Sequence, residues 1–251
     1  MSTSPIAAVP AQPGLSQLER LLYIFTAPSK TFADFKRSST WWLPFLLTVV
    51  AGGILFAAIT VKVTWPQVYE NQQQNSPDWA KRMQENQPPE AKAQAAKIGP
   101  ISQEITWALS PLGLLIINLI AAGVLLFTIN FGFGGKATFG AVLGVTMYAT
   151  VITWGIRLLL GALALFFGLN SEAFAINNVA GTNAGFYLSA AETPKVLYTL
   201  AQFIDVLTLW GLAVTSIGVA TVAGTKRSTG YMVVFGWCIL LLLIGVGVAA
   251  L

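Results

Sequence analysis

Three polar residues interrupt otherwise apolar stretches of the chain and are its best candidates for chemistry. Asn118 lies in the second long apolar run, Arg157 in the third and Asp205 in the fourth. A charge in such a run is a candidate functional group, for example in an ion or proton relay. An acid and a base can instead form a buried ion pair that joins two helices. We favour the structural pair, because transport sites usually gather several polar groups around interrupted helices.

The positions of these residues along their runs predict which of them meet. If the runs cross a bilayer from a cytoplasmic N-terminus, Asp205 lies roughly 12 Å and Arg157 roughly 15 Å below the outer boundary. This similar depth predicts that they pair, with Thr153 or Gln202 completing the hydrogen bonds. Asn118 is expected to form a hydrogen bond between helices.

Other kinds of chemistry find little support in the composition. The chain has no histidine and a single cysteine, Cys238, which excludes imidazole catalysis and cysteine-rich or histidine-rich metal sites. The glycine-rich turn at Gly132, Gly134 and Gly135 lacks the Gly-Lys-Ser/Thr ending of a phosphate-binding loop. No Gly-x-Ser-x-Gly nucleophile motif is present either. We therefore predict no catalytic, cofactor-binding or metal-binding residues, no bound cofactor, and a protein that is not an enzyme.

The elements that carry the three polar residues are five long apolar runs. The chain is 55% hydrophobic and 10% charged. About 20 apolar residues in a helix cross the roughly 30 Å hydrocarbon core, and the alternating pattern of barrel strands is absent. The sequence predicts an all-α polytopic membrane protein, a bundle of five transmembrane helices at about 42–61, 107–131, 139–167, 197–223 and 231–251.

The charges outside these runs predict the orientation of the bundle. The side of the N-terminus has seven Lys and Arg residues and only two acidic residues, Glu19 and Asp34. The opposite side has six basic and seven acidic residues. Basic residues in short segments remain cytoplasmic. The N-terminus is therefore predicted to be cytoplasmic and the C-terminus to lie on the opposite side. The net charge of +4 reflects this sidedness, and we predict no binding to nucleic acid.

The segments outside the spans predict little more than short helices. Residues 1–40 are expected to form a cytoplasmic tail that opens with a disordered stretch, followed by the membrane domain 41–251. Ser16 and Glu19 have the spacing of a capping box and predict an amphipathic helix, with Arg20 away from its apolar face. That helix lies either at the lipid headgroups or on the bundle. A second short helix is predicted around Thr31 and Asp34.

Two longer segments lie on the opposite side. The external segment 62–104 is rich in Gln, Asn, Pro and charge, and its prolines are expected to cut it into short, mobile helices. The segment 168–194 is small and neutral and shows no catalytic pattern. Neither segment predicts a separate folded domain.

Several short motifs resemble the bacterial members of the Yip1-domain family. They are Pro28-Ser29-Lys30-Thr31-Phe32, Trp41-Trp42-Leu43-Pro44 and Ala137-Thr138-Phe139, followed by Tyr148, Trp210, Gly218 and Lys226. The resemblance implies five spans, a cytosolic N-terminus and, for a bacterial member, the cell inner membrane with a periplasmic C-terminus. Eukaryotic members are associated with Rab-type GTPases through an Asp-Leu-Tyr-Gly-Pro-like motif, which is absent here, so that role is not transferred.

Two functional hypotheses follow. The first is a non-enzymatic membrane protein of the Yip1-like type that organises the membrane or binds partners. These partners are the lipid bilayer and either other membrane proteins or a second copy of the chain, since small residues such as Gly140 and Gly144 favour close helix contacts. The alternative is a small transporter or channel subunit in which Arg157, Asp205 and Asn118 form the polar path.

Overall fold

The computed structural model describes residues 14–76, 78–168, 170–189 and 192–250, so the first part of the predicted tail lies outside the described residues. Over these ranges the chain forms helices and turns, with no strand beyond one isolated β-bridge. The α-helices are α1 Gln17–Thr26, α2 Pro28–Ala33, α3 Trp42–Lys62, α4 Trp65–Gln74, α5 Asp78–Glu85, α6 Pro89–Ala108, α7 Ser110–Phe127, α8 Phe139–Thr150, α9 Ile156–Phe166, α10 Lys195–Phe203, α11 Val206–Ala223 and α12 Arg227–Ala250.

Five helices are long and apolar enough to cross a membrane, which confirms the all-α polytopic fold. We number them spans one to five: Trp42–Lys62, Ser110–Gly132, Phe139–Phe166, Val206–Ala223 and Arg227–Val248. A π-helical turn at Thr128–Gly132 ends span two, and another at Val151–Gly155 joins α8 to α9 within span three. Span five is the most peripheral, with 11% of its residues buried against 44% of span three.

Two predicted spans are shorter than the apolar runs that suggested them. Span two begins at Ser110, because α6 ends at Ala108 and Leu109 separates the two helices. The run 197–223 contains two helices, α10 and α11, rather than one. The break has a local cause: the side chain of Asp205 accepts a hydrogen bond from the Thr208 backbone N–H, and a residue that caps a helix in this way has a non-helical backbone. Asp205 therefore precedes span four, and the prediction that it lies inside that span is wrong.

Small residues allow the spans to approach closely. A Cβ at Gly230 would overlap the backbone oxygen of Ser216, so spans four and five pack backbone against backbone. At Gly144, a Cβ would lie 2.6 Å from the Phe35 ring, so this glycine receives an N-terminal side chain rather than another span. Gly218 receives both kinds of neighbour, because a Cβ there would lie 2.5 Å from Val145 of span three and 2.9 Å from the Phe32 ring.

The N-terminal helices, the 133–138 turn and the start of α12 lie at one end of the bundle, which we call the basic end. Tyr148 donates its hydroxyl hydrogen bond to Gln17 over 2.9 Å, and Arg227 donates to Ser29 over 3.0 Å. The backbone N–H of Lys136 donates to the Ala223 carbonyl. These contacts bring the basic residues of the N-terminal helices, the turn and the α11–α12 connection to the same end.

The opposite end, which we call the loop end, consists of α4–α6, α10 and the described parts of 168–194. Asn71 on α4 is buried and donates to the carbonyls of Ser171 and Phe174, over 2.7 and 2.9 Å. Helix α6 continues through Pro100, so the prediction that prolines cut this segment into short pieces is wrong for α6. Its Gly99 leaves room for the Tyr69 ring of α4. These two segments therefore pack on each other and on the bundle.

Candidate functional sites at the two ends of the bundle

Asp205 joins three elements at the loop end. Its Oδ1 accepts the Thr208 N–H over 2.7 Å and forms an ion pair with the Nη2 of Arg157, which lies 2.8 Å away. Its Oδ2 accepts the hydroxyl of Thr182, in the 168–194 segment, over 2.6 Å. The carboxylate thus caps span four, pairs with span three and holds the loop that covers both.

Arg157 is less completely satisfied than its partner. Its Nη2 also donates to the hydroxyl of Thr208 over 3.0 Å, and its guanidinium carbon lies 5.4 Å from the centre of the Trp154 ring. Its Nε is buried and has no hydrogen-bond partner among the described residues. The structure thus brings Arg157 and Asp205 together, but Thr182 and Thr208 complete the hydrogen bonds rather than Thr153 or Gln202.

The two residues of the ion pair lie at a similar height along their helices. Asp205 immediately precedes the 18 residues of α11, and Arg157 lies 18 positions after Phe139, the first residue of span three. At a rise of about 1.5 Å per residue, both are roughly 27 Å from the basic end of their helices. This similar height along the bundle allows the two side chains to meet.

Asn118 is separate from this ion pair. Its Oδ1 accepts the hydroxyl of Thr150 over 3.1 Å, which links spans two and three, and its Nδ2 donates to the Leu114 carbonyl within its own helix. The three polar residues singled out in the sequence therefore form two sites. One is an interhelical hydrogen bond in the bundle, and the other is the ion pair at the loop end.

A cavity of about 410 Å³ lies beside the ion pair. Arg157 and Asp205 line it, together with Trp107, Gln202 and Asn177. It adjoins a larger cavity of about 850 Å³ between α4, α10 and the 168–194 segment, which shares Gln202 and Asn177 with it. Sequence reasoning missed these cavities, because their walls come from a segment without any recognisable motif.

A second ion pair, also missed in the sequence, lies at the basic end. Arg20 on α1 is 1% exposed, and its Nε and Nη2 donate to Asp34 Oδ2 over 2.8 and 2.6 Å. Its Nη1 donates to the hydroxyl of Thr40 over 3.0 Å. Asp34 also accepts from the exposed Arg37 over 3.1 Å. The three donor nitrogens of Arg20 all have partners.

This pair reverses the predicted orientation of α1. The buried residues of the helix are Arg20 and Ile24, whereas Leu18 and Leu22 are 66% and 60% exposed. The expectation that Arg20 points away from the packed face is wrong. The sequence spacing could have indicated this orientation. Arg20 and Ile24 are four residues apart and share a helix face that excludes both leucines.

Capping and charge pairing stabilise the N-terminal helices. The capping box at Ser16 and Glu19 is confirmed, and both of its hydrogen bonds are present. The backbone and hydroxyl of Ser16 bind the Glu19 carboxylate and lower its pKa. At Asp34 partial burial acts to raise the pKa, but hydrogen bonds from Arg37 and Arg20 outweigh it and hold the pKa below its usual value. Both acids are therefore ionised near neutral pH.

Several residues of the motifs that carry the family resemblance hold the N-terminal helices on the bundle. Phe32 of α2 packs against Gly218, and the buried Tyr148 contacts the Phe35 ring at 5.5 Å between centroids. Trp210 lies 5.4 Å from the Phe25 ring. These side chains fix α1 and α2 to spans three and four.

The fold and these sites define an all-helical, five-span membrane protein with a docked N-terminal helix pair. Residues 22–249 match the Yip1 domain, and the chain belongs to the Yip1-domain family. Among curated proteins and among solved structures, none is similar enough to count as a match.

Proposed function

We propose that this protein is a non-enzymatic organiser of a bacterial inner membrane that binds the cytoplasmic leaflet through its N-terminal helices. The observation that carries the proposal is the orientation of α1. The buried Arg20–Asp34 pair fixes this helix on the bundle and leaves Leu18 and Leu22 exposed on its outer face. An amphipathic helix held at this place can insert its leucines at the headgroup boundary.

Charge supports a lipid partner for this surface. Beside the buried Arg20, the basic end carries further basic residues, Lys30, Lys36, Arg37, Lys136, Lys226 and Arg227, against the acids Glu19 and Asp34. Anionic lipids attract basic residues near a cytoplasmic membrane surface, by about 1 kcal/mol each. Exposed leucines at an end of the bundle rich in lysine and arginine fit an anionic lipid surface better than they fit a neutral protein partner.

Orientation is the first part of the proposal to test. The positive-inside rule favours a cytoplasmic basic end, and the proposal, with five spans, therefore has the C-terminus in the periplasm. In a Cys238→Ser background, a cysteine at the exposed Gln74 of the loop end should react with an impermeant maleimide added to intact spheroplasts. One at the exposed Ser228 should react only after lysis. The opposite labelling pattern would reject this orientation.

The leaflet contact has its own test. A fluorophore at Leu18→Cys, in the Cys238→Ser protein in liposomes, should be quenched by lipids brominated near the headgroup, more strongly with phosphatidylglycerol than with phosphatidylcholine. Leu22→Ser should reduce this quenching, whereas Met83→Ser, an equally exposed apolar residue at the loop end, should not. Quenching that ignores both lipid charge and Leu22→Ser would indicate a protein partner instead.

The alternative of a transporter or channel subunit has less support. Arg157 and Asp205 satisfy much of each other's charge, and Asn118 does not line the cavity beside them. Transport would require these groups to share one path. Ion flux into liposomes that disappears in Asn118→Leu as well as in Asp205→Asn would favour that alternative.

A further inference from the structure

The cavity beside the ion pair combines polar and apolar walls. Arg157, Gln202 and Asn177 line it with hydrogen-bonding groups, and Trp107 and Trp154 line it with aromatic rings. Trp154 is 48% exposed on the outside of the bundle. Tryptophan is enriched where a span meets the headgroups, and Asp205 directly precedes the first residue of span four. The cavity therefore lies where a lipid headgroup can reach it.

Hydrogen-bonding capacity in this cavity is not used by the protein. Within the described part of the chain, the partly exposed guanidinium of Arg157 makes one hydrogen bond, through Nη2, and no hydrogen bond involves the side chains of Gln202 or Asn177. A guanidinium only donates, and an amide donates through its nitrogen. A ligand that complements these groups must therefore present acceptor oxygens.

The neighbouring carboxylate does not oppose such a ligand strongly. Both oxygens of Asp205 are occupied, by Arg157, by the Thr208 N–H and by the Thr182 hydroxyl. A second cationic residue, Lys195, lines the adjoining cavity. Planar guanidinium groups bind phosphate and carboxylate oxygens well, because several N–H donors can converge on one anion.

We propose that this cavity binds an oxyanion, a phosphate or a carboxylate, carried by the headgroup of a lipid in the leaflet at the loop end. The oxygens accept hydrogen bonds from the accessible part of the Arg157 guanidinium and from the amides of Gln202 and Asn177. The acyl chains lie outside, along exposed apolar residues at the start of span four such as Val206. This site is distinct from the leaflet contact of α1 and does not depend on it.

The test measures lipids retained by the purified full chain in a nonionic detergent, by native mass spectrometry. The probes are dioleoyl phosphatidylglycerol, dioleoylglycerol, which lacks the phosphate, and inorganic phosphate. The variants are Gln202→Leu and Asn177→Leu, since neither side chain makes a hydrogen bond to the residues that the structure describes. Gln74→Leu, an exposed residue outside both cavities, is the matched control, and thermal unfolding verifies that each variant is folded.

We expect one tightly retained phosphatidylglycerol, and binding about fivefold weaker in each cavity variant, the effect of one lost hydrogen bond. Gln74→Leu should bind as the unmodified chain does, and dioleoylglycerol should not be retained. Phosphate that binds in a Gln202-dependent manner without any retained lipid would support the oxyanion site but assign it to a soluble anion. Equal retention of dioleoylglycerol, or full binding by both cavity variants, would overturn the proposal.

Discussion

Two ion pairs, Arg20–Asp34 and Arg157–Asp205, use the same residue types. They differ in how many of the arginine's donors have partners. At the basic end, Arg20 donates from all three nitrogens and is almost wholly enclosed. At the loop end, Arg157 donates from Nη2 to Thr208 and forms an ion pair with Asp205, its side chain is 19% exposed, and its Nε has no partner in the described structure. One pair is closed, and the other adjoins a cavity.

This difference separates a structural contact from a binding site. A charge enclosed with every hydrogen bond made holds its neighbours in one arrangement, since any movement leaves buried groups unsatisfied. A charge with a free donor next to a cavity can accept a ligand without disturbing the fold. The Arg20–Asp34 pair therefore positions the N-terminal helices, whereas the Arg157–Asp205 pair both joins spans and leaves room for an oxyanion.

The sharpest way to break this comparison is to remove the acid from the closed pair. Asp34→Asn leaves Arg20 buried without a counter-charge, and we expect the free energy of unfolding to fall by about 3–5 kcal/mol. Unfolding in mixed micelles, followed by circular dichroism, provides the measurement. Glu85→Gln, which neutralises an exposed acid at the loop end, is the control and should change little. A loss no larger than that of the control would mean that the Arg20 pair is not a structural lock.

A double-mutant cycle at the loop end should show a smaller and asymmetric effect. Asp205→Asn leaves Arg157 unpaired, although asparagine can still cap α11, and should destabilise by about 2–3 kcal/mol. Arg157→Gln should destabilise less, because the Thr182 hydroxyl and the Thr208 N–H still bind Asp205.

The same unfolding measurement on the double mutant completes the cycle. The double mutant should lose less than the sum of the single losses, because no uncompensated charge remains. Additive losses would show that the two residues do not interact in the membrane.

Different features of the sequence predicted the spans and the sites. Apolar length alone predicted the five spans, because the bilayer thickness sets the number of residues required. The break before Asp205 was missed because it depends on a single cap within an apolar run, where hydropathy does not change. The Arg20–Asp34 pair was missed because the spacing of the apolar residues placed Arg20 away from the apolar face of α1, and its partner is 14 residues away along the chain. The cavities depend on tertiary packing of the 168–194 segment, which composition does not encode.

The smallest expected effect concerns the pH dependence of stability at the basic end, which the contact between Arg37 and Asp34 should set. Because the folded-state pKa of Asp34 is lowered, its contribution to stability is present above its ordinary value of 3.8 and is lost as pH falls through the lower folded pKa. Arg37→Gln removes the hydrogen bonds that lower this pKa most, so stability should begin to fall at a higher pH than in the unmodified chain. Thermal unfolding between pH 7 and about pH 3 measures the shift.

Lys36→Gln is the control for this prediction. It removes a neighbouring exposed charge that does not bind Asp34, so it should leave the onset almost unchanged. High salt should reduce the difference, because Arg37 is exposed and its interaction is screened. If Lys36→Gln moved the onset as far as Arg37→Gln does, general surface charge rather than the contact with Asp34 would set the pH dependence.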